Sequence, residues 1–324
     1  MEEYQKEVAL IMQKAGKSIR QISAATGVPK SSVHDFLKDK YKGLTEWEKE
    51  EERCKRDFSR VLVISDTHCG SKVGLTPPDW MFNVQGGSKE ERKKIASMQE
   101  EMWDFFSEGI SSLGHIDALF HIGDAIDGKA SKDGGNGLIT SSLNEQVDIA
   151  VQVFDSIPCK NIFLVGGTGY HTYAGGEDFE DVLSKEIGAI FDGRLWVDIN
   201  GILFDLRHAI GSSGIPHGRA TQLSKEYVWN RLWEEKKMQP KSDVILRGHV
   251  HYHIANSTTK YMAMSCPSLQ GPKTIFGERK CSGTVDFGFL VFDVLHEAQG
   301  LNDISYSVHT KDLLTFSPDI HFCR

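Results

Sequence analysis

The chain of 324 residues is 40% apolar, 25% charged and 10% aromatic, with a net charge of −8. That balance supplies a sizeable core and excludes both wholesale disorder and a small disulfide-stapled module. Six scattered cysteines without a Cys-x-x-Cys pair argue against a zinc ribbon or a secreted disulfide framework. No basic start leads into an apolar run, and nothing approaches the roughly 20 apolar residues that span a bilayer, so a cytoplasmic protein with no membrane partner is expected.

Charge is uneven along the chain: residues 1–60 carry 13 Lys/Arg against 11 Asp/Glu, and the remainder 24 against 34. The first forty residues read as three short helices. Tyr4, Val8, Ile11, Met12 and Ala15 form one apolar helical face ending at Gly16. Ser18 can cap a second helix holding Ile19 and Ile22, which stops at Thr26-Gly27. Pro29 opens a third, whose inner face is Val33, Phe36 and Leu37. The charged tract 41–59 is then expected to be a linker, dividing a 1–40 domain from a 60–324 domain.

From Arg60 onward short apolar runs alternate with helical patterns. Val61–Ile64, Ala118–Ile122, Ile162–Val165, Ile202–Leu206 and Val244–Leu246 read as buried strands. Helices are predicted over Ser88–Leu113 and Ser142–Ile157, each opened by a capping box (Ser88 with Glu91, Ser142 with Glu145), and over Asp178–Phe191 and Ala220–Lys237. Residues 128–137 form a glycine-rich loop, and the chain beyond Tyr261 is strand-rich, notably Thr284–Val294. This order implies an α/β core extended by an antiparallel part.

The polar residues at the strand ends carry the chemistry. In chain order they are Ser65-Asp66-Thr67-His68, Gly123-Asp124-Ala125-Ile126-Asp127, Gly166-Gly167-Thr168-Gly169-Tyr170-His171, His208 and Gly248-His249-Val250-His251. Five strands thus deliver carboxylate or imidazole to one rim, where α/β sheets place ligands. These groups are ligands of zinc, manganese and iron, and an Asp can bridge two ions. Asp66 with His68, and His249 with His251, are two apart; in extended chain each pair shares a face about 6.6 Å apart, at about 3.3 Å per residue. The glycines before Asp124 and His249 let backbone turn closely around the ions. Asp127 is read as orienting a ligand, and His121, inside a strand, as packed or as supporting a ligand.

With these motifs the segment 60–295 resembles the calcineurin-like metallophosphoesterase family. The resemblance implies a β-sandwich flanked by helices, preceded here by the small three-helix domain. It implies Asp66, His68, Asp124 and His251 at one metal, and Asp124 as the bridge with His208 and His249 at a second. His171 takes the catalytic histidine position, stabilising the transition state or protonating the leaving oxygen. The family's Gly-Asn-His motif is altered: its metal-binding Asn is absent, leaving Thr168, Tyr170 or water in that place and a weaker second site.

Two divalent ions, manganese first with zinc, iron or magnesium as alternatives, bring +4 against −2 from Asp66 and Asp124, so the pocket attracts phosphate. Coordination lowers the pKa of water from 15.7 toward about 7 for in-line attack on phosphorus.

The N-terminal segment resembles the helix-turn-helix of phage proteins and recombinases. Its third helix turns Lys30, Ser31, Ser32, His34 and Lys38 away from the apolar face, an arrangement that can enter a major groove, and residues 17–42 hold six Lys/Arg against two Asp/Glu. The leading expectation is therefore a metal-dependent nuclease acting on DNA, able to gain affinity by oligomerising. A small-nucleotide phosphatase or phosphodiesterase is the alternative. A DNA-binding regulator with a degenerate phosphoesterase domain is the third.

Overall fold

The computed structural model describes residues 2–14, 19–43, 56–81, 88–129, 135–272 and 285–313. It opens with α1 (Glu3–Lys14), α2 (Ile19–Thr26) and α3 (Lys30–Gly43). Gly27, at φ 67°, turns α2 toward α3, and Ala9, Ile22, Val28 and Val33 close a small apolar cluster among them. The expected helix ends at Gly16 and Ser18, most of the expected linker and the middle of the glycine-rich loop lie outside the described residues. α3 itself continues past residue 40 into the tract read as linker.

The chain then alternates: β1 (Phe58–Ile64), α4 (Lys89–Ser112), β2 (Ala118–His121), α5 (Leu143–Asp155) and β3 (Ile162–Val165). A single turn α6 (Gly169–Thr172) leads through a ribbon of β4 (Tyr173–Ala174) and β5 (Glu177–Asp178) into α7 (Phe179–Ile187) and β6 (Ile190–Asp192). There follow β7 (Leu195–Ile199), β8 (Ile202–Arg207), α8 (Arg219–Glu235), β9 (Val244–Arg247), β10 (Ile254–Ser257), β11 (Met262–Ser265), β12 (Phe287–Leu295) and β13 (Ile304–Lys311).

These strands form a six-stranded sheet, β13-β12-β1-β2-β3-β6, and a five-stranded one, β10-β11-β9-β8-β7. β1, β2, β3 and β6 run parallel, as do β8, β9 and β11, while β12 and β13 add an antiparallel edge to the first sheet. Alternation sorts the side chains of β1. Val61 and Val63 meet Phe204, Leu206, Val244 and Leu246 of the second sheet, whereas Leu62 and Ile64 face Met98, Met102 and Phe106 of α4 and Val147 and Ala150 of α5. On the far side, Leu223 of α8 packs with Ile245 and Ala263. The result is a mixed α/β sandwich covered by helices on both faces. No helix among the described residues is long and apolar enough to cross a membrane.

Two expectations are corrected. The helix over 178–191 ends early, because Gly188 takes the left-handed φ of 68° and the chain turns into β6. The second capping box is half built: the Glu145 N–H does reach Ser142 Oγ at 3.4 Å. The Glu145 carboxylate, however, accepts from Thr140, whose Oγ1 receives the Ser142 N–H at 3.1 Å.

Candidate metal centre

Parallel strands of both sheets end together at one edge of the sandwich, and every expected ligand lies just beyond one of those ends. Asp66 and His68 follow β1, Asp124 and Asp127 follow β2, Thr168 and His171 follow β3, His208 follows β8, and His249 and His251 follow β9. Three overlapping groups could each hold a metal ion: Asp66–His68–His251, His68–Asp124–His171 and Asp124–His208–His249, their ligand atoms within 4.8 Å of one another. Asp124 belongs to two of them, the position a bridging carboxylate needs.

The backbone at these residues departs from the extended geometry expected of it. Asp66 (φ 51°), His68 (φ 43°), Asp124 (φ 54°), His249 (φ 71°) and His251 (φ 55°) are all left-handed, a conformation costing a residue with a Cβ about 1–2 kcal/mol. The ligand pairs therefore converge by curling, not by sharing a strand face. Loop-to-loop bonds hold the curl: Asp66 N–H to Gly123 O and His68 N–H to Asp124 O, both 3.0 Å. The glycines serve neighbouring loops more than the ions. A Cβ at Gly123 would come 2.8 Å from the His208 side chain, one at Gly248 2.7 Å from Ile122 O, and one at Gly167 would collide with Asp124.

Hydrogen bonds fix which imidazole nitrogen faces the cluster. His68 Nδ1 bonds Asp127 Oδ1 (2.8 Å), His208 Nδ1 bonds Ile122 O (2.7 Å) and His171 Nδ1 bonds Asp127 O (2.6 Å). Each pairing turns Nε2 inward. Asp127 thus orients two histidines, one through its carboxylate and one through its carbonyl.

His68 Nε2 is buried without a hydrogen-bond partner, and lies 3.8 Å from Asp66 Oδ1 and 3.9 Å from Asp124 Oδ2. His208 Nε2 is 3.1 Å from Asp124 Oδ2, and His251 Nε2 3.1 Å from Asp66 Oδ1. An orphaned imidazole nitrogen too far from two carboxylates to bond them, yet close enough to share an ion, fits a cation with nitrogen and oxygen ligands. Electrostatics agree. Burial opposes charge on His68, but its bond to Asp127 and the nearby Asp66 and Asp124 carboxylates outweigh that and lift it to about 10. His208 is likewise raised to about 10 against its burial, by Asp124 and Asp66. Asp66 is held well below the carboxylate range, its burial overcome by His251 and His208.

Of Thr168 and Tyr170, it is Thr168 that reaches into the cluster. Its Oγ1 lies 3.2 Å from Asp124 Oδ2, 3.3 Å from His208 Nε2 and 3.4 Å from His249 Nδ1, whereas Tyr170 is 41% exposed. His121 is packed as expected, between Thr67 Oγ1 (3.0 Å) and the Gly123 N–H (3.2 Å).

Several supporting groups escaped the sequence reading. Glu180 of α7 is fully buried and accepts the N–H of Ala125 (2.7 Å) and of Gly167 (2.6 Å), joining the Asp124 loop to the Thr168 loop. Burial and the Asp124 charge push its carboxyl up to about 8. Ser65 Oγ and the His249 N–H (3.1 Å) both donate to Asp66 Oδ2, and Gln146 clamps Gly128 through both its N–H and its O at 2.8 Å. Glu180 and Gln146, isolated polar residues inside helices, have no spacing signal to mark them.

The residues expected at DNA divide. Lys30 donates to Glu100 Oε1 (3.0 Å) and Asp104 Oδ2 (3.2 Å) of α4, and the His34 ring lies 6.4 Å from that of Trp103. Both therefore lie against α4, because its acidic and aromatic face attracts a cation and a ring, and they do not share one open face with Ser31 and Ser32, which are exposed. The Lys38 side chain is outside what the structure describes.

No protein-family profile matches this chain, and no curated protein does. Among solved structures it is similar to Vps29 complexed with zinc from Entamoeba histolytica, at 14% identity over 80% of this chain and 94% of that one, TM-score 0.39. It is similar to an archaeal phosphodiesterase at 12% identity over 77% and 99%, TM-score 0.37. A conserved Streptococcus pneumoniae protein described as a predicted phosphoesterase follows at 13% over 78% and 99%, TM-score 0.31. The chemistry of the site stands on its own residues.

Proposed function

We propose that the chain is a metal-dependent phosphodiesterase of the calcineurin-like kind. The observation that carries this reading is the buried His68 Nε2 with no hydrogen-bond partner, set between Asp66 and Asp124 where two of the three candidate ligand groups meet. Asp66, His68, His251 and Asp124 would hold one ion; Asp124, His208 and His249 the other, with Thr168 beside it. Two divalent cations, manganese first, would supply Lewis-acid chemistry, acidifying water and neutralising charge on the phosphoryl oxygens. The chain's own residues hold that arrangement and manage the proton. His171 commits Nδ1 to the Asp127 carbonyl, so Nε2 alone can give or take a proton at the leaving oxygen. Burial first, then His68, lowers this imidazole below its ordinary value, which favours a neutral ring that is charged only while it works.

Turnover of bis-para-nitrophenyl phosphate with added manganese, and its loss after chelation, is the expected result. A preparation that neither binds manganese nor turns over the diester would overturn the reading and leave the degenerate, DNA-binding regulator.

DNA as the substrate is the finer part of the proposal. It is supported by the turn at Gly27 and by the exposed Ser31 and Ser32 at the start of α3. Placing acidic side chains there, in S31E/S32E, should weaken DNA binding by the full chain in a salt-dependent manner. Unchanged DNA binding would return the substrate to a small nucleotide.

A further inference from the structure

Between β3 and α7 the chain makes the single turn α6, with Thr168 as its N-cap and Tyr173 as its C-cap. This turn joins the metal cluster to the surface. Thr168 and His171 belong to the cluster, while Tyr170 is 41% and Tyr173 60% exposed. Three residues apart across one helical turn, the two tyrosines lie on the same side of it. The Tyr170 ring packs edge-on against His171, centroids 4.9 Å apart at 74°, and the Tyr173 ring runs alongside Gly169, whose added Cβ would touch it at 3.6 Å. The Tyr170 ring thus stands partly in water beside the His171 imidazole, and the Tyr173 ring is exposed next to it along the turn.

We propose that Tyr170 and Tyr173 form a stacking subsite for a nucleobase, making a nucleoside the substituent carried on the phosphodiester; this rests on the phosphodiesterase reading above. A substrate whose phosphorus lies at the cluster has its ester oxygen toward His171, and the group on that oxygen comes out over Tyr170. A water-exposed tyrosine loses little conformational freedom on binding and offers a flat apolar face. Stacking a base on an aromatic side chain strengthens binding by about tenfold or more, and because every base has such a face the subsite tolerates sequence. Two lone tyrosines elsewhere on a surface would carry no such meaning; here the neighbouring cluster supplies it.

The test uses two methyl phosphodiesters that differ in the alcohol on the leaving oxygen, methyl thymidine 5′-phosphate and its abasic analogue methyl 1,2-dideoxyribose 5′-phosphate, with release of methyl phosphate as the readout. The full-length chain with manganese is expected to favour the nucleoside ester by about tenfold in kcat/KM, mainly through KM. The ratio should fall toward one in Y170A/Y173A and persist in Y170F/Y173F, which keeps the rings. A ratio near one in the natural chain, or one that Y170A/Y173A leaves intact, would overturn the subsite. Quenching of 2-aminopurine deoxyriboside monophosphate fluorescence, without metal, is a second readout independent of turnover. Quenching lost in Y170A/Y173A and kept in Y170F/Y173F supports the subsite even if neither ester is hydrolysed, an outcome that would remove the phosphodiesterase reading alone. Absence of quenching in the natural chain counts against the tyrosines.

Discussion

Two clusters of buried charge lie close together along β8 and β9, and they are built on opposite principles. One centres on Arg247, fully buried, whose Nε donates to Glu226 Oε2 (2.9 Å), Nη2 to Asp205 Oδ2 (2.8 Å), and Nη1 to the carbonyls of Asp205 (3.0 Å) and Leu246 (2.9 Å). Arg194 Nε closes the other Asp205 oxygen at 2.8 Å. Asp205 and Arg247 sit in regular strand, Glu226 in α8 and Arg194 just before β7, and these charges answer one another. The other cluster begins one residue after Arg207 and two after Arg247. There five of the six expected ligands, all but His208, are left-handed, and His68 Nε2 has no partner. A buried network that is complete by itself is structure; one that is strained and incomplete is waiting for something that binds.

The largest effect should separate the two clusters outright. Asp124→Asn keeps the shape of the bridging side chain but removes its charge. Diester turnover is expected to fall by more than about a hundredfold, beyond the loss usual for a group that merely supports a ligand, and metal analysis should show the second ion depleted. Near-normal turnover would mean that Asp124 is not the bridge. Arg247→Met should do the reverse. It leaves Asp205 and Glu226 without their shared cation, at a cost of about 3–5 kcal/mol, read as a lowered denaturation midpoint. Turnover per folded molecule is expected to change far less than in Asp124→Asn.

What the sequence disclosed follows the same division. The strand Ile162–Val165 was legible to the residue, because a short apolar run between polar flanks has no other use in a buried parallel sheet. The candidate ligands could be picked out because each sits just beyond such a run. The conformation that lets them converge was not legible: nothing in Asp66-Thr67-His68 announces left-handed backbone, which is imposed by bonds to Gly123 and Asp124, distant in sequence. Glu180 was illegible for a similar reason, since its partners are backbone N–H groups on two other loops. Gly188 shows the opposite error. Its stop signal was present, and the apolar pattern running through it concealed the change from helix to strand. The exposure read from α3 alone failed at Lys30, whose carboxylate partners belong to a helix far along the chain.

Smaller changes should sharpen the contrast by tuning the incomplete cluster. In Glu180→Gln one of the two backbone N–H groups now meets an amide N–H, so the Asp124 and Thr168 loops lose half their tie. Manganese affinity is expected to drop by about 10-fold, measured calorimetrically, and turnover at saturating manganese should largely recover. Loss that excess metal cannot restore would show that Glu180 shapes more than the ion sites. Thr168→Asn places an amide oxygen among Asp124, His208 and His249. The affinity of the weaker ion should rise by several-fold to about tenfold; an unchanged isotherm would mean that Thr168 is only a neighbour of that site.

The smallest effect concerns His121, a titratable group beside the cluster that behaves like the complete network. Burial dominates and lowers it to about 3, while both ring nitrogens are engaged, with Thr67 and the Gly123 N–H. An unfolded chain takes up a proton at this imidazole near its ordinary value of about 6.5, and the folded chain resists until far lower. Unfolding therefore binds a proton between those two values, and the stability held at neutral pH is lost progressively as pH falls from about 6.5 toward 3. The contribution approaches about 1.4 kcal/mol per pH unit once the unfolded imidazole is charged. His121→Gln should start less stable at pH 7 and show a shallower decline between pH 6.5 and 5 than the natural chain, both measured without metal by urea denaturation. Subtracting the two curves removes the other histidines, and parallel curves would show that His121 carries no part of the acid sensitivity.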